Sequence, residues 1–73
     1  MQSIAERKEE AIKAVLEEYS ITYGELFGKK RIAEYVKARK ALARRLADIG
    51  FIPRQTAKLL SLDRSTIAYY LKK

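Results

Sequence analysis

The chain has 73 residues, of which 48% are hydrophobic, three are Gly and one is Pro. This length suits one small domain, and the composition is too apolar and too poor in backbone breakers for a disordered segment. Because the sequence contains no cysteine and no histidine, it excludes disulfides, thiolate or imidazole metal sites and the commonest acid–base and nucleophilic catalysts. We therefore expect a single folded domain over residues 1–73 with no enzymatic activity, no metal and no cofactor.

Basic side chains are concentrated after the first eighteen residues. The formal net charge of the whole chain is +7. Residues 1–18 carry three basic and five acidic side chains and are net −2, whereas residues 19–73 carry thirteen and four and are net +9. A local excess of positive charge is expected of a surface that meets nucleic-acid phosphates. A solvated basic surface without such a partner would explain the charge equally well.

The sequence contains no apolar run close to the roughly 18 residues that a membrane-spanning helix needs. Met1-Gln2-Ser3 leads directly into a charged helical pattern, which differs from a secretory signal peptide. We expect a soluble cytoplasmic protein with no membrane partner.

The first predicted element is an amphipathic helix over residues 1–20. Ser3-Ile4-Ala5-Glu6 has the Ser-x-x-Glu form of a capping box, in which each side chain satisfies a free backbone N–H at a helix start. Apolar residues then recur at spacings of three and four, and they are Ile4, Ala11, Ile12, Val15, Leu16 and Tyr19. This face is expected to pack on the rest of the domain, and a homodimer contact through it is the alternative.

A connection follows, in which the helical period fails from Ser20 to Lys30. Two glycines flank Leu26 and Phe27, an apolar pair that we expect to fix this connection to the core. The connection ends in a basic loop over residues 29–31, which has the sequence Lys29-Lys30-Arg31.

A central helix is predicted over residues 32–49. Gly50 ends it, because Gly adopts the left-handed conformation that terminates helices at little cost. One face of this helix is apolar and the opposite face is basic. The apolar face has Tyr35, Leu42, Leu46 and Ile49, and the basic face has Lys37, Lys40 and Arg44.

Residues 53–72 have the pattern of a helix-turn-helix. Pro53 suits the first turn of one helix, where its missing N–H would have no partner, and Ala57 is the small residue that lets two helices approach closely. Ser61 lies at the turn, where such motifs often have Gly. Asp63 is placed to cap the next helix by accepting from backbone N–H groups two or three residues later. The predicted fold is an all-α, small four-helix domain with a C-terminal helix-turn-helix.

The last predicted helix has a polar outward face, which consists of Arg64, Ser65, Ala68, Tyr69 and Lys72. At a helix start, an arginine can donate two hydrogen bonds to guanine, a serine can reach a base edge or a phosphate, and an alanine can contact a thymine methyl. The hydroxyl of Thr66 could bond phosphate or its own helix backbone. Tyr69 could contact phosphate or sugar, with a packing role as the alternative. These residues favour a recognition helix that lies in the major groove of DNA.

The sequence from Phe27 to Lys73, about two-thirds of the chain, resembles the carboxy-terminal DNA-binding domain of bacterial replication initiators of the DnaA type. That family shares its helix-turn-helix with the Trp repressor. The resemblance lies in the basic loop, in the segment Lys37-Ala38-Arg39-Lys40-Ala41-Leu42-Ala43, and in Asp63-Arg64-Ser65-Thr66-Ile67. Arg64 stands where the family usually has His, and the turn before Asp63 is shorter and less rich in Gly.

The resemblance implies a second point of DNA contact. In the family, the motif similar to Asp63–Thr66 opens the recognition helix and reads the major groove, while an arginine of the basic loop enters the adjacent minor groove. Arg31, eight residues before Arg39, would take that minor-groove role. Lys37 and Arg39 would then lie near phosphates.

The sequence therefore predicts a nucleoid-associated domain that binds double-stranded DNA at specific sequences, as a transcriptional regulator or an origin-type recognition module, with a mobile element or phage as one source. Phosphate positioning is assigned to Lys29, Lys30, Lys37, Lys40 and Arg44, and reading to Arg64, Ser65 and Tyr69 with Arg31 in the minor groove. The alternative is a protein-interaction module whose basic surface binds an acidic protein. RNA binding is a weaker option, because Tyr69 is the one evident stacking platform.

Overall fold

The computed structural model describes residues 3–72, and all regular structure in that range is helical. The helices are α1 (Ile4–Tyr19), α2 (Tyr23–Phe27), α3 (Ala33–Asp48), α4 (Pro53–Leu60) and α5 (Arg64–Leu71). The all-α prediction is confirmed, but the prediction of four helices is wrong, because the described range contains five. The predicted bounds 1–20 and 1–73 include Met1, Gln2 and Lys73, which lie outside the described residues.

The additional helix, α2, forms in the segment that sequence analysis assigned to an irregular connection. Its start is a complete capping box: the Glu25 N–H donates to Thr22 Oγ1 at 3.2 Å, and the Thr22 N–H donates to Glu25 Oε1 at 2.8 Å. Leu26 points into the core and is fully buried. The capping box at the start of α2 and the burial of Leu26 near its end together stabilise this helix of five residues.

Helix α3 is the centre of the fold and packs against each of the other four helices. Its buried side chains meet those of α1, α2, α4 and α5 in one hydrophobic core. The largest fully buried apolar side chains are Val15, Leu26, Leu42, Leu46 and Ile67. Full burial of one such side chain stabilises the folded state by about 1.5–3 kcal/mol, so this core holds α4 and α5 to α3.

Helix α1 lies along α3, and its apolar face is buried in the domain from Ala11 onward. The face therefore packs within the monomer there, although Ile4 remains 60% exposed. At the helix start, Ser3 Oγ accepts from the Glu6 N–H at 3.2 Å, as the capping pattern predicts. The Glu6 carboxylate accepts from the Ser3 hydroxyl at 3.4 Å, which differs from the bond to the Ser3 N–H that a complete capping box predicts. Arg45 of α3 pairs with Glu18 of α1 at 3.1 Å on the surface.

Three helices end in the same backbone motif. After α1, α3 and α4, a residue with positive φ is followed by an apolar residue whose N–H donates to a carbonyl five positions earlier: Ile21 to Leu16 at 3.1 Å, Phe51 to Leu46 at 2.9 Å and Leu62 to Ala57 at 2.9 Å. This is the Schellman arrangement. The positive-φ residues are Ser20 (52°), Gly50 (106°) and Ser61 (55°). Gly50 confirms the prediction, whereas two serines take a conformation that usually favours Gly.

Candidate nucleic-acid interface

Helices α4 and α5 form the two-helix unit that the sequence predicted over residues 53–72. Helix α4 packs on α5. Ala57 of α4, which is 6% exposed, and Ile67 and Tyr70 of α5 are buried in the same hydrophobic core. The turn between the helices is Ser61, Leu62 and Asp63, with Ser61 in the left-handed region. One detail differs from the prediction. Asp63 is the N-cap residue of α5, but its side chain makes no capping hydrogen bond.

The outward face of α5 has the composition that the sequence predicted. Exposed side chains there are Arg64, Ser65, Ala68 and Tyr69, followed by Lys72 just after the helix. Tyr69 is 67% exposed, so it has no packing role in the core. Arg64, Ser65 and Ala68 border a shallow depression that Pro53 closes from the start of α4. The face is therefore mostly polar and open to a partner.

The basic face of α3 adjoins the end of α5. Lys37 and Arg44 are exposed and Lys40 is half-buried, and the three line a shallow groove with Tyr19 and Ala41. The Lys40 ammonium lies 5.6 Å from the centroid of the Tyr69 ring, within the range of a cation–π interaction. This contact joins one predicted phosphate-binding residue to one predicted reading residue.

The structure corrects the expectation for Arg39. This side chain is only 4% exposed and does not belong to the basic face of α3. Its Nε donates to the Leu26 carbonyl at 2.8 Å, and its Nη2 donates to the carbonyls of Gly28 at 2.8 Å and Glu25 at 3.2 Å. The guanidinium thus satisfies the free carbonyls at the end of α2. A buried group with these partners is not placed to contact phosphate.

The same contacts fix the start of the basic loop. Gly28 follows α2 directly, and a Cβ atom added there would lie 2.7 Å from the Gly24 carbonyl oxygen. The backbone is thus packed too closely at this point for a larger residue. Lys29, Lys30 and Arg31 follow and are exposed, so their cations project from a loop whose base Arg39 anchors.

A second contact ties α2 to α3. The Tyr35 hydroxyl donates to Glu25 Oε2, while the other carboxylate oxygen of Glu25 caps α2. The Tyr35 hydroxyl, followed by the Thr22 N–H, holds the pKa of Glu25 below its ordinary value of 4.5. The carboxylate in turn raises the pKa of Tyr35 above 10.0. Sequence analysis missed this pair, although Thr22-x-x-Glu25 carries the capping-box pattern.

The basic loop and the turn between α4 and α5 lie on opposite sides of a cleft. Lys29 and Arg31 line one side of the cleft, and Ser61, Leu62 and Thr66 line the other. Thr66 is half-buried and faces this cleft, unlike the exposed residues of the outward face. The predicted site residues therefore form three neighbouring groups: the basic loop, the outward face of α5 and the basic face of α3. Arg39, which is buried, and Thr66, which faces the cleft, are the exceptions.

Within residues 3–72, no group of three or more acidic, Cys or His side chains is placed to hold a metal ion. None of the described helices is both long and apolar enough to cross a bilayer. Comparison of the chain with protein-family models, with curated proteins and with solved structures found no match.

Proposed function

We propose that this chain is a sequence-specific double-stranded DNA-binding domain. The observation that carries the proposal is the outward face of α5, where Arg64, Ser65 and Ala68 are exposed together on the second helix of a two-helix unit. A helix in the major groove needs such side chains near its first turn, because these are the ones that reach base edges. Their hydrogen-bonding and methyl groups are suited to guanine, to a base edge or phosphate, and to a thymine methyl.

The remaining cations would position the domain on the duplex. Lys29, Lys30, Lys37, Lys40 and Arg44 are assigned to phosphates, and Arg31 to the adjacent minor groove. The resemblance to initiators of the DnaA type supports the same division of roles. The domain would then work on the bacterial nucleoid, as a transcriptional regulator or an origin-recognition module.

The first test is a selection from random duplexes followed by a salt titration of binding to the selected site. We expect a consensus sequence and a steep fall of affinity with salt, because several phosphates are neutralised at once. A steep fall of affinity with salt but no consensus sequence would indicate that the domain binds DNA without sequence specificity. Absence of binding would favour the rival proposal, in which the basic surface meets an acidic protein.

The second test separates reading from positioning. Arg64→Ala should weaken binding to the selected site by about 1–3 kcal/mol and barely change binding to random DNA, whereas Lys30→Ala should weaken both alike. Arg7→Ala on α1 is the control, since Arg7 is an exposed arginine outside the assigned surface. Equal losses on both DNAs for Arg64→Ala would contradict its assignment to a base.

The form of the selected site indicates the oligomeric state. A single asymmetric site would indicate a bound monomer. An inverted repeat would indicate a dimer, because half-site symmetry mirrors protein symmetry, with α1 as the proposed contact. Ile4, exposed at the start of α1, is the apolar residue that such a contact would cover.

A further inference from the structure

The cleft between the basic loop and the helix-turn-helix has an apolar lining and a half-buried threonine, Thr66, that none of the assigned roles uses. Its lining includes three cations, Lys29, Arg31 and Arg39, and three hydroxyl residues, Ser61, Thr66 and Tyr70. The guanidinium of Arg39 already donates to backbone carbonyls. Apolar side chains form the rest of its lining, among them Phe27, Val36 and Leu62. No acidic side chain lines the cleft among residues 3–72. An occupant should therefore be anionic at one edge and apolar at the other.

Duplex geometry indicates what such an occupant is. A major groove and the minor groove beside it share one sugar-phosphate strand, which forms the ridge between them. If α5 occupies the first groove and the basic loop the second, that ridge must pass between the two elements. This step rests on the proposed function. The cleft is the space that separates these elements in the fold.

We propose that the cleft seats the sugar-phosphate backbone of the strand between the two contacted grooves. The Thr66 hydroxyl and the Lys29 ammonium bind one phosphate of that strand, and Leu62 contacts the adjoining deoxyribose. Phosphate oxygens accept from hydroxyl and ammonium donors, and the sugar carbons match the apolar lining. Thr66 thus positions the strand, while Arg64 and Ser65, on the neighbouring face of α5, remain available for bases.

The rigidity of the cleft wall supports this assignment. Arg39 lines the cleft and bonds the carbonyls at the base of the loop. The opposite wall is held by the Leu62 N–H, which donates to the Ala57 carbonyl at 2.9 Å. Both walls are therefore set before DNA arrives, which lowers the ordering cost of binding.

The test is a scan of the selected duplex with single methylphosphonates, each of which removes one phosphate charge. One position on one strand, between the bases read by α5 and those near the basic loop, should lower wild-type affinity about tenfold, the effect expected for losing hydrogen bonds to a charged group. With Thr66→Val, which keeps the side-chain shape, and with Lys29→Ala, the same methylphosphonate should have a much smaller effect. Lys13→Ala, an exposed lysine on α1, is the control and should behave as wild type.

The outcome depends on whether the loss of affinity caused by a methylphosphonate is smaller in a variant than in the wild type, which shows that the residue and the phosphate are coupled. Coupling of Thr66 and Lys29 to one shared phosphate supports the proposal. Selective binding in which neither residue couples to any phosphate overturns it and leaves the proposed function standing. Failure of the wild type to select any duplex overturns the proposed function and the cleft assignment together.

A crosslink gives an independent readout. The chain has no cysteine, so Ser61→Cys introduces a unique thiol at the mouth of the cleft. A photoreactive group attached to this thiol should crosslink to one strand, within about two nucleotides of the sensitive phosphate. The limit follows from the length of a short reagent, which spans about the length of a few extended residues. Crosslinks spread over both strands would overturn the assignment.

Discussion

Arg39 carries its charge into the interior of the domain, where an unpaired guanidinium would be strongly unfavourable. Three carbonyls compensate it, those of Glu25, Leu26 and Gly28. These carbonyls belong to the end of α2 and the residue after it, so they would also be left unpaired without the arginine. The Arg39 side chain therefore satisfies the end of α2, and its loss would leave these three carbonyls without the guanidinium donor.

We expect Arg39→Met to lower the free energy of unfolding by about 2–3 kcal/mol, because it removes charge-assisted hydrogen bonds and leaves buried acceptors unpaired. Urea denaturation followed by circular dichroism measures the change. Arg44→Met is the matched control on the same helix, and because Arg44 is exposed it should stay within about 0.5 kcal/mol of wild type. Equal losses for the two variants would contradict the structural role of Arg39.

The three Schellman helix ends allow a second comparison between residues. Ser20 and Ser61 have positive φ, as does Gly50, and a residue with a Cβ atom is disfavoured there by about 1–2 kcal/mol. Ser61→Gly should therefore stabilise the domain by about 0.5–1 kcal/mol after the entropy cost of glycine is included. Gly50→Ala should destabilise it by about 1–2 kcal/mol. Thermal unfolding of both variants checks the signs, and a destabilised Ser61→Gly would indicate that the serine side chain has a further role.

At the scale of elements, the long helices were predictable because their apolar spacing and their end signals agree. Helix α3 runs over Ala33–Asp48 within the predicted 32–49, and Gly50 follows it as expected. Helix α2 was not predicted, because five residues are too few to establish a period. Its sequence nevertheless carried a signal in Thr22-x-x-Glu25, and the structure shows that this local pattern was sufficient.

The spacing of the residues along α3 also indicated that Arg39 is buried. It lies four residues after Tyr35 and three before Leu42, on the face that the sequence assigned to the core. The sequence interpretation instead followed the resemblance to initiators of the DnaA type, which implies that Arg39 lies near phosphates, and arginines are seldom buried. Spacing along α3 could not predict the hydrogen-bond partners of Arg39. The carbonyls that make its burial favourable belong largely to α2, and the position of α2 beside α3 depends on tertiary packing.

The Glu25–Tyr35 contact between α2 and α3 makes stability depend on pH in a defined direction. The folded-state pKa of Glu25 is lowered from 4.5, so its contribution is present above that pH and is lost as pH falls through the folded pKa. The pKa of Tyr35 is raised from 10.0, so its contribution is present below that pH and is lost as pH rises through the folded pKa.

Tyr35→Phe removes the titrating hydroxyl and the largest cause of the lowered pKa of Glu25, while the bond from the Thr22 N–H remains. The stability difference between wild type and Tyr35→Phe should be largest between roughly pH 5 and 10 and should shrink on either side. Urea midpoints at several pH values measure it, with Tyr23→Phe as the control because that hydroxyl belongs to an exposed residue of α2. A difference that does not change with pH would show that the contact does not shift either group.

At the scale of the whole molecule, the sequence predicted which cations share a face of α3 and which share a face of α5. The outward face of α5 and the basic face of α3 have the expected members, because helical period alone determines which side chains face outward. The proximity of the basic loop to Thr66 and the turn could not be read from the sequence. It follows from α2, which holds the loop, and from Arg39, which anchors α2 to α3.

The salt dependence of DNA binding tests this division of cations over the whole surface. Each lysine that neutralises a phosphate contributes about 0.9 to the slope of log affinity against log salt. Lys37→Gln should therefore lower the slope by about 0.9, and Lys13→Gln on α1 should leave it unchanged. Arg39→Gln removes the same charge from the interior, so it should weaken binding by loosening the basic loop while the slope stays at its wild-type value. The titrations are run at low temperature on protein that circular dichroism shows to be folded. A fall of about 0.9 in the slope for Arg39→Gln would instead place its guanidinium on a phosphate in the complex, which would require the contacts to Leu26 and Gly28 to break on binding.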